Sequence, residues 1–134
     1  MARPVPPRTG LILIDHGSKL AEANRLLQPI AESVRAKSTY SIVEIAHMEL
    51  AAPTLADAFT RCARSGASEV VIVPYFLASG NHATGDIPRM ASEAAAKVKK
   101  EFPNLHWKLG QPLGFDERIV DVVLDRAAQA EPQD

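Results

Sequence analysis

Residues 11–20 read LILIDHGSKL: four aliphatic residues, then an acid, a histidine, a glycine and a serine. A continuous apolar run of this kind is what a strand covered on both faces looks like, as in a parallel sheet. The polar residues that end it stand where a buried strand emerges from the core, so Asp15 and His16 are delivered to a rim.

Working outward, the hydrophobic period alternates between strand-like and helix-like, the pattern of βαβ units around a parallel sheet. A helical stretch over 19–37 carries Leu27, Ile30, Ala31 and Val34 as its core stripe, and Pro29 inside it predicts a kink or a late start. SIVEIAHMEL (41–50) reads as a second strand. Pro53 and Thr54 then open a helix with Asp57 in a capping position, Leu55, Ala58, Phe59 and Cys62 on one face, and Gly66 at its close. EVVIVPYFL (69–77) is a third strand and ASGNHATG (78–85) a polar, glycine-bearing loop. Asp86 is expected to cap the next helix, with Pro88 in its first turn and Ile87, Met90, Ala91, Ala94, Ala95 and Val98 inward. LHWKLG (105–110) is a weaker fourth strand. The last helix, 116–130, has Ile119, Val123 and Ala127 as its face.

The 134 residues fit one domain. The division predicted is a flexible, proline-rich arm over 1–9, a single α/β domain over 10–130 and a frayed tail over 131–134. Four strands with intervening helices assemble as a doubly wound, mainly parallel sheet of order 2-1-3-4 with helices on both faces. In that order strands 1 and 3 are neighbours whose following helices leave toward opposite faces, and a crevice opens beyond their carboxyl ends. DHGS and ASGNHATG line it.

Composition excludes several function classes. The formal net charge of -1 provides no basic field for nucleic acid, and no apolar run reaches membrane-spanning length. The single cysteine, Cys62, can build neither an intrachain disulfide nor an iron–sulfur site, and fits a reducing cytoplasm; its helical position makes it a core filler. Neither G-x-x-x-x-G-K-[ST] nor G-x-G-x-x-G occurs, so ATP use is not expected. Ser18 lacks the G-x-S-x-G elbow of a nucleophile.

His16 and His82 come from the two loops at the same sheet edge, and two converging imidazoles suit a first-row transition metal. Asp15 is expected to anchor the ring of His16 or brace a loop amide. His47 and Glu49, two apart near the end of the second strand, share a face if the strand stays regular, and could add a ligand or a proton acceptor or simply form a solvated strand end. His106 opens the fourth strand, at the opposite edge, and is read as structural.

DHGS, IVEIAHMELAAPTLADAF, VVIVPYFLASGNHATGDIP and PLGFDERIVDVVLDR, in this order over about residues 10–128, resemble the small sirohydrochlorin chelatases, class II enzymes that insert cobalt or ferrous iron into sirohydrochlorin. DHGS and AHMELAAP look most like the siroheme-forming, iron-inserting branch. The resemblance implies a chelatase-like half-domain and a lyase activity, with cobalt insertion for cobalamin synthesis or a non-catalytic metal or tetrapyrrole carrier as alternatives. It implies His16 as metal ligand and proton acceptor, His82 as second ligand, and Leu77, Ala78, Ser79, Gly80, Asn81 and His82 as a tetrapyrrole-binding wall. Where the family commonly has an acidic residue, this sequence has Ala52, and Glu49 is the nearest substitute. The metal, Fe(II) or Co(II) with Ni(II) also compatible, is substrate; no ATP and no iron–sulfur cluster are expected. Larger members contain two halves around the tetrapyrrole, so a homodimer is expected here, with the carboxyl edges of the two sheets face to face.

Overall fold

The computed structural model describes residues 8–78, 80 and 85–133. The elements run β1 (Thr9–Asp15), α1 (Ala21–Asn24), α2 (Leu27–Lys37), β2 (Ile42–His47), α3 (Leu55–Arg64), β3 (Glu69–Pro74), α4 (Ile87–Lys99), β4 (His106–Leu109) and α5 (Glu117–Gln129). All pairings are parallel and the order is β2-β1-β3-β4, the doubly wound arrangement expected. β1 begins at Thr9, one residue before the apolar run, because the carbonyl of Arg8 already accepts from Ser68 N at 2.8 Å.

β1 occupies the centre because its side chains are apolar on both faces. Ile12 and Ile14 point to one side, where Val70, Ile72 and Ala46 join them under α3 and α4 around Phe59. Leu11 and Leu13 point to the other, with Val43 and Ile45, under Leu27 and Ala31 of α2. The proline-bearing stretch resolves into the short α1 and a regular α2 that starts late, placing Pro29 in the first turn, where its missing N–H costs little. α3 carries the capping box, with Asp57 N donating to Thr54 Oγ1 at 3.1 Å and Thr54 N donating to Asp57 Oδ2 at 2.9 Å.

Two expectations need correction. Asp86 itself has helical backbone angles and makes no side-chain cap hydrogen bond; its carboxylate lies 3.7 Å from Arg89 instead. The apolar face of α5 does not join the core: none of its residues is buried, and Val123 and Leu124 are 60% and 62% exposed.

Candidate functional site

The carboxyl ends of β1 and β2 are laced together beyond the strands. Met48 N donates to Asp15 O at 2.9 Å and Glu49 N to His16 O at 3.2 Å, so the β1–β2 register continues into both exit loops. Gly17 permits the approach. Its φ is +91°, and a Cβ there would meet Glu49 O at 1.9 Å, an overlap no side chain tolerates. These contacts bring His16 Nε2 to 3.6 Å from Glu49 Oε1, with both side chains about half exposed at the rim.

Below them lies a second pair. His47 Nδ1 is 2.5 Å from Asp15 Oδ1, and the His47 side chain is only 2% exposed. Asp15 therefore anchors the ring of His47. The expectation that His47 and Glu49 share a face fails for a local reason: β2 ends at His47, its N–H donates to Pro53 O at 2.9 Å, and Leu50 turns at φ +70°. His47 points inward to the strand end and Glu49 outward to His16.

In front of His16 a cavity of about 310 Å³ is lined by Asp15, His16, Ser18, Asn24, Tyr75 and Phe76, at the β1–β3 switch point. Ser18 is spent on structure: its Oγ accepts from Leu20 N at 3.0 Å, and its backbone N–H and C=O both bind the Asn24 side chain. Leu77, Ala78 and Gly80 are exposed at the same edge, after β3. Ala52 is exposed and joined to Pro53 by a cis peptide bond. Ser79, Asn81 and His82 lie outside the described residues. Among the described residues no group of three His, Cys, Asp or Glu side chains is gathered as a metal site. His106 lies at the amino end of β4, away from this edge, and is exposed. Cys62 is buried, and its burial, with Glu44 nearby adding to the effect, pushes the thiol pKa up to about 12. No described helix is long and apolar enough to cross a membrane.

The pairing of Glu49 with His16 is partly legible, since both stand out in the sequence at the ends of their strands, but the register that joins them is a property of the paired strand ends. The arrangement offers an imidazole that lines an open cavity and the Glu49 carboxylate beside that imidazole, which can together hold a divalent cation and accept protons.

A family model described as CbiX matches residues 10–130. The chain is 43% identical over 117 residues to the chloroplastic sirohydrochlorin ferrochelatase of Arabidopsis thaliana, covering 87% of this chain and 50% of the relative. It is 35% identical over 137 residues to the sirohydrochlorin cobaltochelatase of Methanocaldococcus jannaschii, covering 87% of this chain and 96% of the relative. Among solved structures, the sirohydrochlorin chelatase SirB from Bacillus subtilis subspecies spizizenii, in complex with cobalt, superposes with a TM-score of 0.78 at 29% identity, over 91% of this chain and 50% of that one. A CbiX protein from Marinobacter aquaeolei superposes with a TM-score of 0.73 at 29% identity, over 91% of this chain and 99% of that one. The chain thus spans about half the length of the plant and Bacillus proteins and nearly all of the other two.

Proposed function

Because the chain belongs to the CbiX family, we propose that it is a sirohydrochlorin chelatase, a lyase that inserts a divalent metal ion into sirohydrochlorin. Ferrous iron is the favoured metal, with siroheme as product. The observation that carries the proposal is His16, which lines the cavity at the switch point and has the Glu49 carboxylate 3.6 Å from its Nε2. The 43% identity to a ferrochelatase supports iron; the matches along nearly the whole length of archaeal cobaltochelatases favour cobalt as the second reading.

Insertion removes two pyrrolic protons and replaces the metal's water shell. His16 holds the metal and accepts a proton, for which imidazole has the right affinity range near neutral pH. Glu49 supplies a hard oxygen ligand or a second acceptor beside it, and His82 a second imidazole. Leu77 to His82 forms the wall against which the macrocycle lies, with the small residues Ala78, Ser79 and Gly80 permitting close approach. Asp15 and His47 act as positioning residues beneath. The reaction draws on no ATP and no iron–sulfur cluster and takes place in the cytoplasm. A cavity of about 310 Å³ is too small to enclose a tetrapyrrole. The working form is accordingly a two-fold homodimer whose carboxyl edges face one another.

Purified protein incubated with sirohydrochlorin and Fe(II), Co(II) or Ni(II) tests this. Catalytic absorbance change above the metal-only rate, fastest with Fe(II), is expected. Fastest turnover with Co(II) supports the second reading, and a stoichiometric shift without turnover marks a carrier and overturns both.

A further inference from the structure

Outside α5, every large apolar side chain that stands exposed among the described residues lies in a loop leaving the carboxyl end of a strand. Leu20 and Leu26 follow β1, at 71% and 56% exposure, Leu50 follows β2, Leu77 follows β3, and Leu113 and Phe115 follow β4. Apolar side chains gathered at one loop edge mark a surface that receives an apolar ligand.

The exit from β1 adds the means to recognise an acid. Residues 18–26 run along this edge as a strap built on the single turn α1, which buries no residue. A clasp holds the strap in place: Ser18 N donates to Asn24 Oδ1 at 2.9 Å, and Asn24 Nδ2 donates to Ser18 O at 2.7 Å. Ser18, Asn24 and Leu26 line the cavity in front of His16. Lys19 directly follows Ser18, and Arg25 stands between Asn24 and Leu26, so the clasp sets two cations at the border of the cavity. Both are exposed, and among the described residues no carboxylate lies within ion-pair distance of either, that of Glu22 between them included. The arginines at the start of the neighbouring helices are committed by contrast. Arg89 lies 3.7 Å from Asp86 and 3.5 Å from Glu93, and Arg118 lies 2.7 Å from Asp116.

We propose that the strap selects sirohydrochlorin by its carboxylates: Lys19 and Arg25 bind acetate and propionate groups at the edge of the macrocycle, while Leu20 and Leu26 lie against its flat apolar face. The inference rests on the chelatase reading and assigns the substrate-binding residues of that site on the β1 side of the cavity. Lysine meets an acid as a point charge and arginine through a two-pronged hydrogen bond, so the pair holds two separate acids of one substrate. The strap sets how tightly the macrocycle is held, and His16 what happens to it.

Absorbance titration of the full chain with metal-free sirohydrochlorin over a range of salt concentrations tests this, beside the insertion kinetics. The double variant Lys19→Ala/Arg25→Ala should weaken binding about 5- to 25-fold at low salt, since an exposed ion pair contributes a factor of up to about five, and the loss should appear in KM more than in kcat. The dependence of Kd on salt should flatten in that variant, and Lys19→Arg/Arg25→Lys should restore most of the affinity. Leu26→Gln should weaken binding at every salt concentration and leave the salt dependence native. Native Kd and native salt dependence in the double alanine variant overturn the inference and leave the chelatase reading standing. A change of molecular mass in place of a change in Kd also overturns it, by making the strap an interface between copies. A native chain that binds sirohydrochlorin without inserting metal sinks the chelatase reading and leaves the strap standing if the titrations show these shifts; one that binds no sirohydrochlorin overturns both.

Discussion

The carboxylate of Asp15 meets Nδ1 of the buried His47 at 2.5 Å, joining the last residues of β1 and β2 directly beneath the rim that carries His16 and Glu49. With the ring N–H donating to the carboxylate, the pair fixes the orientation of both strand ends. Asp15→Asn should cost about 1–3 kcal/mol of stability, because it weakens the partner of an imidazole that water cannot reach. Chemical denaturation measures the loss, and insertion by the folded variant should fall through a lower kcat with little change in KM. Unaltered stability would mean that the pair does not brace the rim.

Gly17 sets the separation of the two exit loops. Gly17→Ala forces a Cβ onto Glu49 O and leaves an L-residue at φ +91°, with a cost of about 1–3 kcal/mol for the backbone alone. The displaced Glu49 should lower insertion further than Gly66→Ala, which also has positive φ, +103°, but has nothing within 4 Å. Equal effects from the two variants would show that only backbone strain matters at Gly17.

Cys62 makes stability depend on alkaline pH. The folded thiol is held neutral up to about 12 while the unfolded one ionises near the ordinary value of 9.0. Its contribution is fully present below pH 9.0 and is lost as pH rises toward 12, where the unfolded state releases the proton first. Denaturation midpoints of Cys62→Ala should fall less steeply over this window than those of the native chain, whatever the cavity costs at neutral pH. Parallel slopes would contradict the buried, neutral thiol.

Ala52 tests how far the substrate reaches. It is exposed beside the strand-2 exit loop that carries Glu49, so Ala52→Glu should change the apparent affinity for sirohydrochlorin or the insertion rate, more strongly at low salt if the new carboxylate repels the substrate's acids. An unchanged KM and kcat at every ionic strength would place Ala52 outside the site.

The strand order and the crevice were legible because two periods, one for strands and one for helices, alternate cleanly along the chain, and because Ile12 and Leu13 are apolar on successive positions of a central strand. His47 was not placed by pattern: whether it lines up with Glu49 depends on β2 ending at His47 and on the turn at Leu50, which no alternation records. The fate of α5 was hidden for a related reason. An amphipathic stripe such as Ile119, Val123 and Ala127 states that the helix has an apolar side, and says nothing about whether the chain's own core receives it. Asp86 fails as a side-chain cap for a smaller reason, since helical backbone angles already include it.

The most direct test of the central claim is the insertion rate of His16→Ala at fixed sirohydrochlorin and Fe(II), followed by absorbance beside the native chain. Loss of a group that is both base and ligand predicts a fall of about 10² to 10⁴-fold, with the fold retained because the side chain stands half exposed at the rim. Insertion by His16→Ala at a rate close to the native one would contradict the account.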